Sequence, residues 1–128
     1  MPEFLVDRSL GRHVVPTAIR SVGYVVHTLW SVYGDAEEGL ADTEFLRDAG
    51  RNGWPVLTAD ASIRRRSHEL TVVTAERVQL FALPRGGLRG VDQAARFVAN
   101  LSSIVAACAR PGPFVYSVLP SRIERRWP

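Results

Sequence analysis

Two aspartates follow apolar runs that have the length of buried strands. Asp7 comes directly after Phe4-Leu5-Val6, and Asp60 follows Val56-Leu57-Thr58 by one residue. In open α/β sheets, ligands bind outside the carboxyl ends of the strands. If these two strands lie close together in one sheet, the two carboxylates converge at its edge.

A third aspartate stands at the start of a predicted helix. Asp42, Phe45, Leu46 and Ala49 are spaced i, i+3, i+4 and i+7, so they share one helix face. The three apolar residues predict that this face is buried. Asp42 therefore leads the buried stripe and does not belong to the solvated side.

Three carboxylates at one edge of a sheet favour a divalent metal. Crowded carboxylates repel one another and raise one another's pKa unless a cation neutralises them. Ligand sets made only of oxygen suit Mg²⁺ or Mn²⁺, and three carboxylates leave coordination positions for water and phosphate oxygens. Asp7, Asp42 and Asp60 therefore predict metal-dependent hydrolysis of phosphodiester bonds, which needs no covalent protein nucleophile.

Local structure offers a simpler explanation for each aspartate. Asp42 could cap its own helix, and Asp7 could cap a helix that begins near Ser9. Asp60 could form an Asx-turn after its strand. These roles explain each residue alone better than they explain all three at one sheet edge.

The composition narrows the classes of protein. With 128 residues and 46% hydrophobic content the chain can bury one core, so we expect a single domain over residues 1–128. All 16 basic residues are Arg, and the absence of Lys excludes Schiff-base and P-loop chemistry. The net charge of +3 suits an anionic partner such as nucleic acid. Because Cys108 is the only cysteine and no apolar run is long enough for a membrane span, we expect a cytoplasmic chain with no membrane segment.

Strand and helix patterns alternate along the chain. Strands are predicted at 3–6, 24–28, 55–58, 78–82 and 114–119, and helices at 10–22, 42–50, 61–70 and 91–109. This alternation predicts an α/β fold in which a mostly parallel sheet of four to five strands is flanked by helices. The apolar stripe of helix 91–109 places Cys108 in the core as a packed, unreactive thiol.

Three segments carry a resemblance to a known family. Phe4-Leu5-Val6-Asp7, Asp42-Thr43-Glu44-Phe45-Leu46 and Val56-Leu57-Thr58-Ala59-Asp60 together resemble the PIN-like domain ribonucleases, which include the VapC-type toxins of toxin–antitoxin pairs. The resemblance implies a three-layer PIN-like fold and an endoribonuclease in which Asp7, Asp42 and Asp60 bind Mg²⁺ or Mn²⁺. It also implies an RNA substrate, which could be tRNA or another structured RNA. The implied protein partners are a cognate antitoxin and a second copy of the chain in a homodimer.

The acidic set departs from the family pattern in two places. The family often has another acid between the first and third ligands, and Asp35, Glu37 and Glu38 fit that position poorly, while Glu44 is predicted to lie on the solvated helix face. A further Asp commonly lies two residues after the third ligand, where this chain has Ser62. The alternative function is therefore a catalytically inactive PIN-like module that binds RNA or a protein partner.

Arginines near the predicted site are candidates for substrate binding. Arg64, Arg65 and Arg66 follow Asp60 within about one helical turn and could bind RNA phosphates. Arg8 and Arg12 are weaker candidates on the opposite side. Thr58 could orient a carboxylate or a water, although a threonine at a strand end needs no such role.

Two other enzyme classes also place aspartates at strand ends. Response-regulator receivers rely on a lysine near the phosphoryl group, and this chain contains none. Haloacid-dehalogenase-like phosphatases need Asp-x-Asp after the first strand, where this chain has Asp7-Arg8-Ser9. Both classes are therefore disfavoured.

Overall fold

The computed structural model describes residues 1–84 and 86–128. The strands are β1 (Phe4–Val6), β2 (Val26–Thr28), β3 (Val56–Thr58), β4 (Gln79–Ala82), β5 (Phe114–Val118) and β6 (Ile123–Trp127). The α-helices are α1 (Val14–Ser21), α2 (Leu29–Tyr33), α3 (Asp42–Asn52), α4 (Ser67–Ala75), α5 (Gly90–Ala99) and α6 (Leu101–Cys108). Short 3-10 helices span Arg8–Leu10, Gly34–Gly39 and Ala61–Arg65.

The six strands form one sheet in the order β2-β1-β3-β4-β5-β6. The first five strands pair in parallel, and only the β5–β6 pair is antiparallel. From β1 the chain moves outward to β2 and then returns to β3 on the other side of β1. The strand order therefore reverses between β1 and β3, which is the position where α/β sheets bind ligands.

Helices cover both faces of the sheet and bury two apolar cores. Along β1, Phe4 and Val6 face one core, which also contains Ile19 of α1 and Phe97 of α5. Leu5 points to the other face, whose core includes residues of α2, α3 and α4. Successive strand residues point to opposite faces, so the uninterrupted apolar run of β1 reflects burial on both sides. The predicted α/β three-layer fold is confirmed.

The sheet has six strands, whereas the sequence predicts four or five. The additional strand is β6, whose charged residues resemble a solvated tail. Ile123 packs against the first core and Trp127 against the second, on opposite faces of the sheet, and the pairing of β5 with β6 shifts register between Val115 and Tyr116. Only two of its five residues are apolar and none is fully buried, so its hydrophobicity is low and the sequence does not reveal it.

The predicted helix 91–109 is divided into α5 and α6 at Asn100. The buried Asn100 side chain donates hydrogen bonds to the carbonyl oxygens of Arg96 (2.9 Å) and Leu119 (2.7 Å). Asparagine side chains compete in this way with backbone hydrogen bonds and interrupt helices. The apolar stripe continues through the break, and Cys108 is half-buried against the first core. Burial raises the pKa of the Cys108 thiol to about 12, as expected for an unreactive thiol.

No helix among residues 1–84 and 86–128 is long and apolar enough to cross a membrane.

Candidate metal centre

Asp7 is held in place by the turn that follows β1. The turn forms the 3-10 helix Arg8–Leu10, and one Asp7 oxygen, Oδ1, accepts a hydrogen bond of 2.8 Å from the backbone N–H of Ser9. The Ser9 hydroxyl donates to the same oxygen. Asp7 therefore caps this short helix, as the simpler explanation predicts, but its side chain is almost fully buried at the switch point of the sheet.

Thr58 connects the turns that follow β1 and β3. Its buried hydroxyl donates a hydrogen bond to Oδ2 of Asp7. The same hydroxyl oxygen accepts a hydrogen bond of 3.0 Å from the backbone N–H of Asp60. The Ser9 hydroxyl adds a second connection because it accepts a hydrogen bond of 2.9 Å from the backbone N–H of Ala59. The predicted approach of the β1 and β3 carboxyl ends is thus observed.

Asp60 begins the 3-10 helix Ala61–Arg65. Its Oδ1 accepts hydrogen bonds from the backbone N–H (3.0 Å) and the hydroxyl (2.5 Å) of Ser62. This geometry is the Asx-turn of the simpler explanation. Only one carboxylate oxygen is used in this way, and Oδ2 points to a cation, as described below.

Asp42 is the first residue of α3 and does not cap it. The N-cap position is Ala41, whose backbone N–H donates a hydrogen bond of 3.2 Å to the carboxylate of Glu44. Phe45 and Leu46 are fully buried, which fixes the helix against the sheet and leaves Asp42 half-buried at its start. The helix ends at Gly53, whose φ of 70° is the left-handed conformation that glycine adopts most readily.

Arg66 brings three carboxylates around one guanidinium group. Its Nη2 lies 2.9 Å from Oδ2 of Asp60, and its Nη1 lies 3.6 Å from Oδ2 of Asp42 and 3.6 Å from Oε1 of Glu69. Nη2 also donates a hydrogen bond of 2.7 Å to the hydroxyl of Ser62. Acidic side chains of α3, of α4 and of the turn after β3 therefore share a single positive charge at the switch point.

Glu69 was not a candidate in the sequence. It lies on α4, one turn after Arg66, and its negative charge adds to burial in raising the pKa of Asp42. Its signal was the i, i+3 spacing from Arg66, which also fits an ordinary ion pair on a helix surface. Only the packing of α4 beside α3 shows that Glu69 belongs to the carboxylate cluster and is more than a surface ion pair with Arg66.

The three predicted aspartates differ in electrostatic environment. Burial raises the pKa of Asp7 despite its hydrogen bonds from Ser9 and Thr58, and the charge of Asp42 raises it further. Burial also raises the pKa of Asp42, and Glu69 adds to the increase. Partial burial acts to raise the pKa of Asp60, but hydrogen bonds from Ser62 and the Arg66 guanidinium outweigh it and hold this pKa below its usual value.

The donor chemistry of this cluster suits a hard divalent cation. Asp7, Asp42, Asp60 and Glu69 offer only carboxylate oxygens, and a guanidinium stands where several of them meet. Across residues 1–84 and 86–128, however, no three acidic, histidine or cysteine side chains lie close enough to hold one ion as they stand. A metal held by three of these carboxylates would therefore require some of these side chains to change rotamer.

Arg8 and Arg12 contact the chain beside the cluster. The Arg8 guanidinium donates hydrogen bonds to the carbonyl oxygens of Glu37 (3.1 Å) and Leu40 (2.8 Å). Arg12 lies over the ring of Trp30 at 4.5 Å and pairs with Glu37 at 3.8 Å. Both side chains therefore fix the segment that precedes α3. Neither is directed at the carboxylates, although the charge of Arg8 lowers the pKa of Asp42.

The remaining acids between the first and third aspartates stay outside the cluster. Asp35, Glu37 and Glu38 belong to the 3-10 helix Gly34–Gly39 and line a separate surface pocket with Arg8 and Arg12. Glu44 is exposed and engaged with the backbone of its own helix.

Arg64 and Arg65 lie on the other side of Asp60, away from Arg66. They line a cleft of about 520 Å³ that also contains Asp60 and Ser62. The three consecutive arginines therefore lie in two different environments. Arg66 contacts carboxylates, while its two neighbours face the cleft.

Comparison with known proteins agrees with the family predicted from the three segments. A family model described as a PIN like domain matches residues 2–85. The chain is 35% identical over 126 residues to a Mycobacterium tuberculosis protein named "Putative ribonuclease VapC45", and the alignment covers 98% of this chain and 91% of that protein. No solved structure matches the chain at a comparable level of significance. The chain therefore belongs to the PIN-like domain family and is similar to its VapC-type members.

Proposed function

We propose that the protein is a Mg²⁺- or Mn²⁺-dependent endoribonuclease in which Asp7, Asp42 and Asp60 hold the metal. The observation that carries this proposal is the meeting of Asp42, Asp60 and Glu69 around Arg66 at the switch point. Beside them lies the buried Asp7, which accepts a hydrogen bond from Thr58, the residue whose hydroxyl also accepts one from the backbone of Asp60. The ribonuclease named among the relatives supports the choice of RNA as substrate. We assign the whole chain, residues 1–128, to one PIN-like domain because that relative is aligned over nearly all of it.

The side chains that would bind the metal are supported by the two neighbouring turns. Thr58 and Ser9 orient the Asp7 carboxylate by hydrogen bonds, and Ser62 orients Asp60. Asp60 stays ionised most readily, because hydrogen bonds and Arg66 lower its pKa. A bound divalent ion would supply an activated water and would stabilise negative charge on the phosphate. Glu69 joins the set as a fourth acid in place of the aspartate that Ser62 replaces.

Arg66 is assigned a second role when the metal is bound. A divalent cation and a guanidinium compete for the same carboxylates, because both neutralise the same negative charge. Displaced from Asp42 and Asp60, the Arg66 side chain remains within reach of a phosphate held at the carboxylates. Arginine suits this role because its fork of N–H donors matches phosphate oxygens.

We further propose that the protein is the toxin of a toxin–antitoxin pair in the cytoplasm. A small antitoxin that inserts an arginine among the carboxylates would block the site. Arg66 supports this idea, since the cluster already accepts a guanidinium from its own chain. A homodimer is part of the same proposal, and co-purification with a small partner and the mass of the complex test both.

The function is tested by cleavage of a mixture of structured RNAs with Mn²⁺ and with EDTA. We expect wild type to cleave only with Mn²⁺. Asp60→Asn should lose at least about 100-fold in rate, because losing even a residue that only supports a metal ligand typically costs about 10–100-fold. Glu44→Gln is the matched control, since it removes a carboxylate from the exposed face of α3 and should cleave as wild type does.

Absence of cleavage by wild type with every RNA would favour the catalytically inactive module. The specific observation behind this second candidate is that no three of the described acidic side chains converge on one ion position without rearrangement. An inactive module would also show no stabilisation by Mn²⁺, because a ligand stabilises only the folded state that it binds.

A further inference from the structure

A second feature of the surface adjoins the carboxylate cluster. It is the cleft of about 520 Å³ between the turn after β3 and the C-terminal strand pair, and we call it the arginine cleft. Its volume lies within the range of about 300–1,000 Å³ that is common for ligand sites. The polar side chains that line it are Asp60, Ser62, Arg64, Arg65, Ser117 and Arg126.

The far wall of the arginine cleft is built by the strand that the sequence did not reveal. Arg126 of β6 points back across β5, where its Nε donates a hydrogen bond of 3.1 Å to the hydroxyl of the buried Ser117. Its Nη2 pairs with Glu124 at 3.0 Å. Arg126 is thus held with its guanidinium at the cleft, about 60 residues along the chain from the arginines on the opposite wall.

The charge of the arginine cleft favours an anion. Arg64 and Arg65 form no ion pair with any acidic residue in the described ranges 1–84 and 86–128. Arg126 shares the carboxylate of Glu124 with Arg122, so Glu124 neutralises only part of the charge on its side. Among the described residues that line the cleft, Asp60 is the only one with a carboxylate, and Arg66 pairs with that carboxylate.

The arginine cleft and the carboxylate cluster meet at Asp60. A nucleic acid strand whose cleaved phosphate lies at the carboxylates would therefore continue directly into the cleft. None of the described residues that line the cleft is aromatic, so it offers no platform on which a base could stack. Its arginines suit the phosphates and not the bases.

We propose that the arginine cleft binds the phosphodiester next to the cleaved one in a single-stranded RNA, with Arg126 and the pair Arg64 and Arg65 as phosphate ligands from opposite walls. This proposal rests on the proposed ribonuclease function and adds a substrate subsite to it. The subsite contacts the RNA phosphates and not the bases, so it should contribute the same binding affinity for RNAs of different sequence. The proposal also assigns a functional role to β6, because this strand positions Arg126 at the cleft.

The test measures binding of a short fluorescein-labelled single-stranded RNA in EDTA by anisotropy, at salt concentrations between about 50 and 200 mM. Each phosphate contact on a single strand contributes about 0.7 to the slope of log affinity against log salt. We expect Arg126→Gln to reduce this slope by about 0.7 and to weaken binding about fivefold near 0.1 M salt. Arg125→Gln is the matched control, because Arg125 lies on the opposite face of β6, over the ring of Phe114.

Arg65→Gln provides a second variant on the opposite wall, at an exposed position whose side chain has no hydrogen bond or ion pair with the described residues. It should reduce the slope as Arg126→Gln does, which keeps the proposal testable if the loss of the Ser117 bond unfolds Arg126→Gln. Equal slopes for wild type, Arg65→Gln and Arg126→Gln would overturn the proposal. So would a lack of RNA binding by wild type at the lowest salt, or equal binding of an acidic peptide of the same charge.

Failure of the subsite and failure of the proposed function give different results. Binding in EDTA does not depend on cleavage, so unchanged slopes in a protein that cleaves RNA with Mn²⁺ would reject only the subsite. Reduced slopes in a protein that cleaves no RNA would reject the nuclease and retain the subsite.

Discussion

Asp7 places a carboxylate where ionisation is unfavourable. Burial raises its pKa in the folded protein above the value in the unfolded chain. Between these two pKa values the unfolded chain has released the proton that the folded protein still holds, so stability falls as the pH rises through this window. The loss amounts to about 1.4 kcal/mol for each unit by which the two pKa values differ.

Replacement of Asp7 by Asn should therefore stabilise the metal-free protein at neutral pH. Asparagine keeps the shape and can still cap the helix Arg8–Leu10, but it carries no charge. In urea unfolding with EDTA, the gain over wild type should grow from acidic to neutral pH. Asp92→Asn, at an exposed position of α5, should show no such gain. A less stable Asp7→Asn at neutral pH would mean that the hydrogen bonds from Ser9 and Thr58 outweigh burial.

Arg66 forms ion pairs with Asp42 and Asp60, two of the carboxylates that we propose as metal ligands. Arg66→Gln removes this competing charge, so we expect Mn²⁺ to bind several-fold more tightly by calorimetry. The same change should reduce stability in EDTA by less than about 1 kcal/mol, because the Arg66 side chain is largely exposed. Arg65→Gln has the same change of charge one residue away and should leave the Kd for Mn²⁺ nearly unchanged. Equal or weaker Mn²⁺ binding by Arg66→Gln would show that the guanidinium is not displaced.

At the level of elements, the sequence identifies those that are buried on two sides or have a strict period. The strands β1 and β3 are continuous apolar runs, and α3 repeats its apolar residues on one face, so their positions and their aspartates could be predicted. The strand β6 could not, because its three consecutive charged residues lie between only two apolar ones and resemble a solvated segment. The break between α5 and α6 depends on one asparagine whose partner lies on another element.

The break at Asn100 should contribute measurably to stability. Its side chain satisfies the carbonyl oxygen of Leu119, which follows β5, and so joins the helix pair to the sheet. Asn100→Ala leaves that carbonyl without its donor and should cost about 1–3 kcal/mol in urea unfolding. Ser102→Ala, at an exposed position of α6, should change stability by less than about 0.5 kcal/mol. Equal free energies of unfolding for the two variants would mean that the Asn100 side chain does not stabilise the break between α5 and α6.

For the whole molecule, the sequence points to three aspartates as candidates for the site but not to their arrangement. The strand ends after β1 and β3 point to Asp7 and Asp60, since parallel strands bring their carboxyl ends to one edge. The bridging of Asp42, Asp60 and Glu69 by Arg66 requires α4 to pack beside α3, and no local pattern encodes that contact. The arginine cleft likewise joins residues of the β3 turn to the last strand.

The coupling of the site to the fold predicts how metal and pH act together on stability. Mn²⁺ at 100 times its Kd should stabilise the wild-type protein by about 2.7 kcal/mol, which is roughly a 10 °C rise in Tm for a chain of this size. The raised pKa values of Asp7 and Asp42 mean that both carboxyls take up protons before an ordinary aspartate would as the pH falls. Protonated carboxyls bind metal poorly, so the rise in Tm should shrink at mildly acidic pH.

Thermal unfolding with Mn²⁺ and with EDTA, at neutral and at mildly acidic pH, measures this coupling directly. Asp7→Asn should lose most of the rise in Tm at both pH values, and Glu44→Gln should retain it. A rise of equal size at both pH values would mean that carboxyls with ordinary pKa values bind the ion, and would direct attention away from Asp7 and Asp42. A rise that persists in Asp7→Asn would place the ion nearer to Asp60 and Glu69, on the side of the cluster that Arg66 now holds.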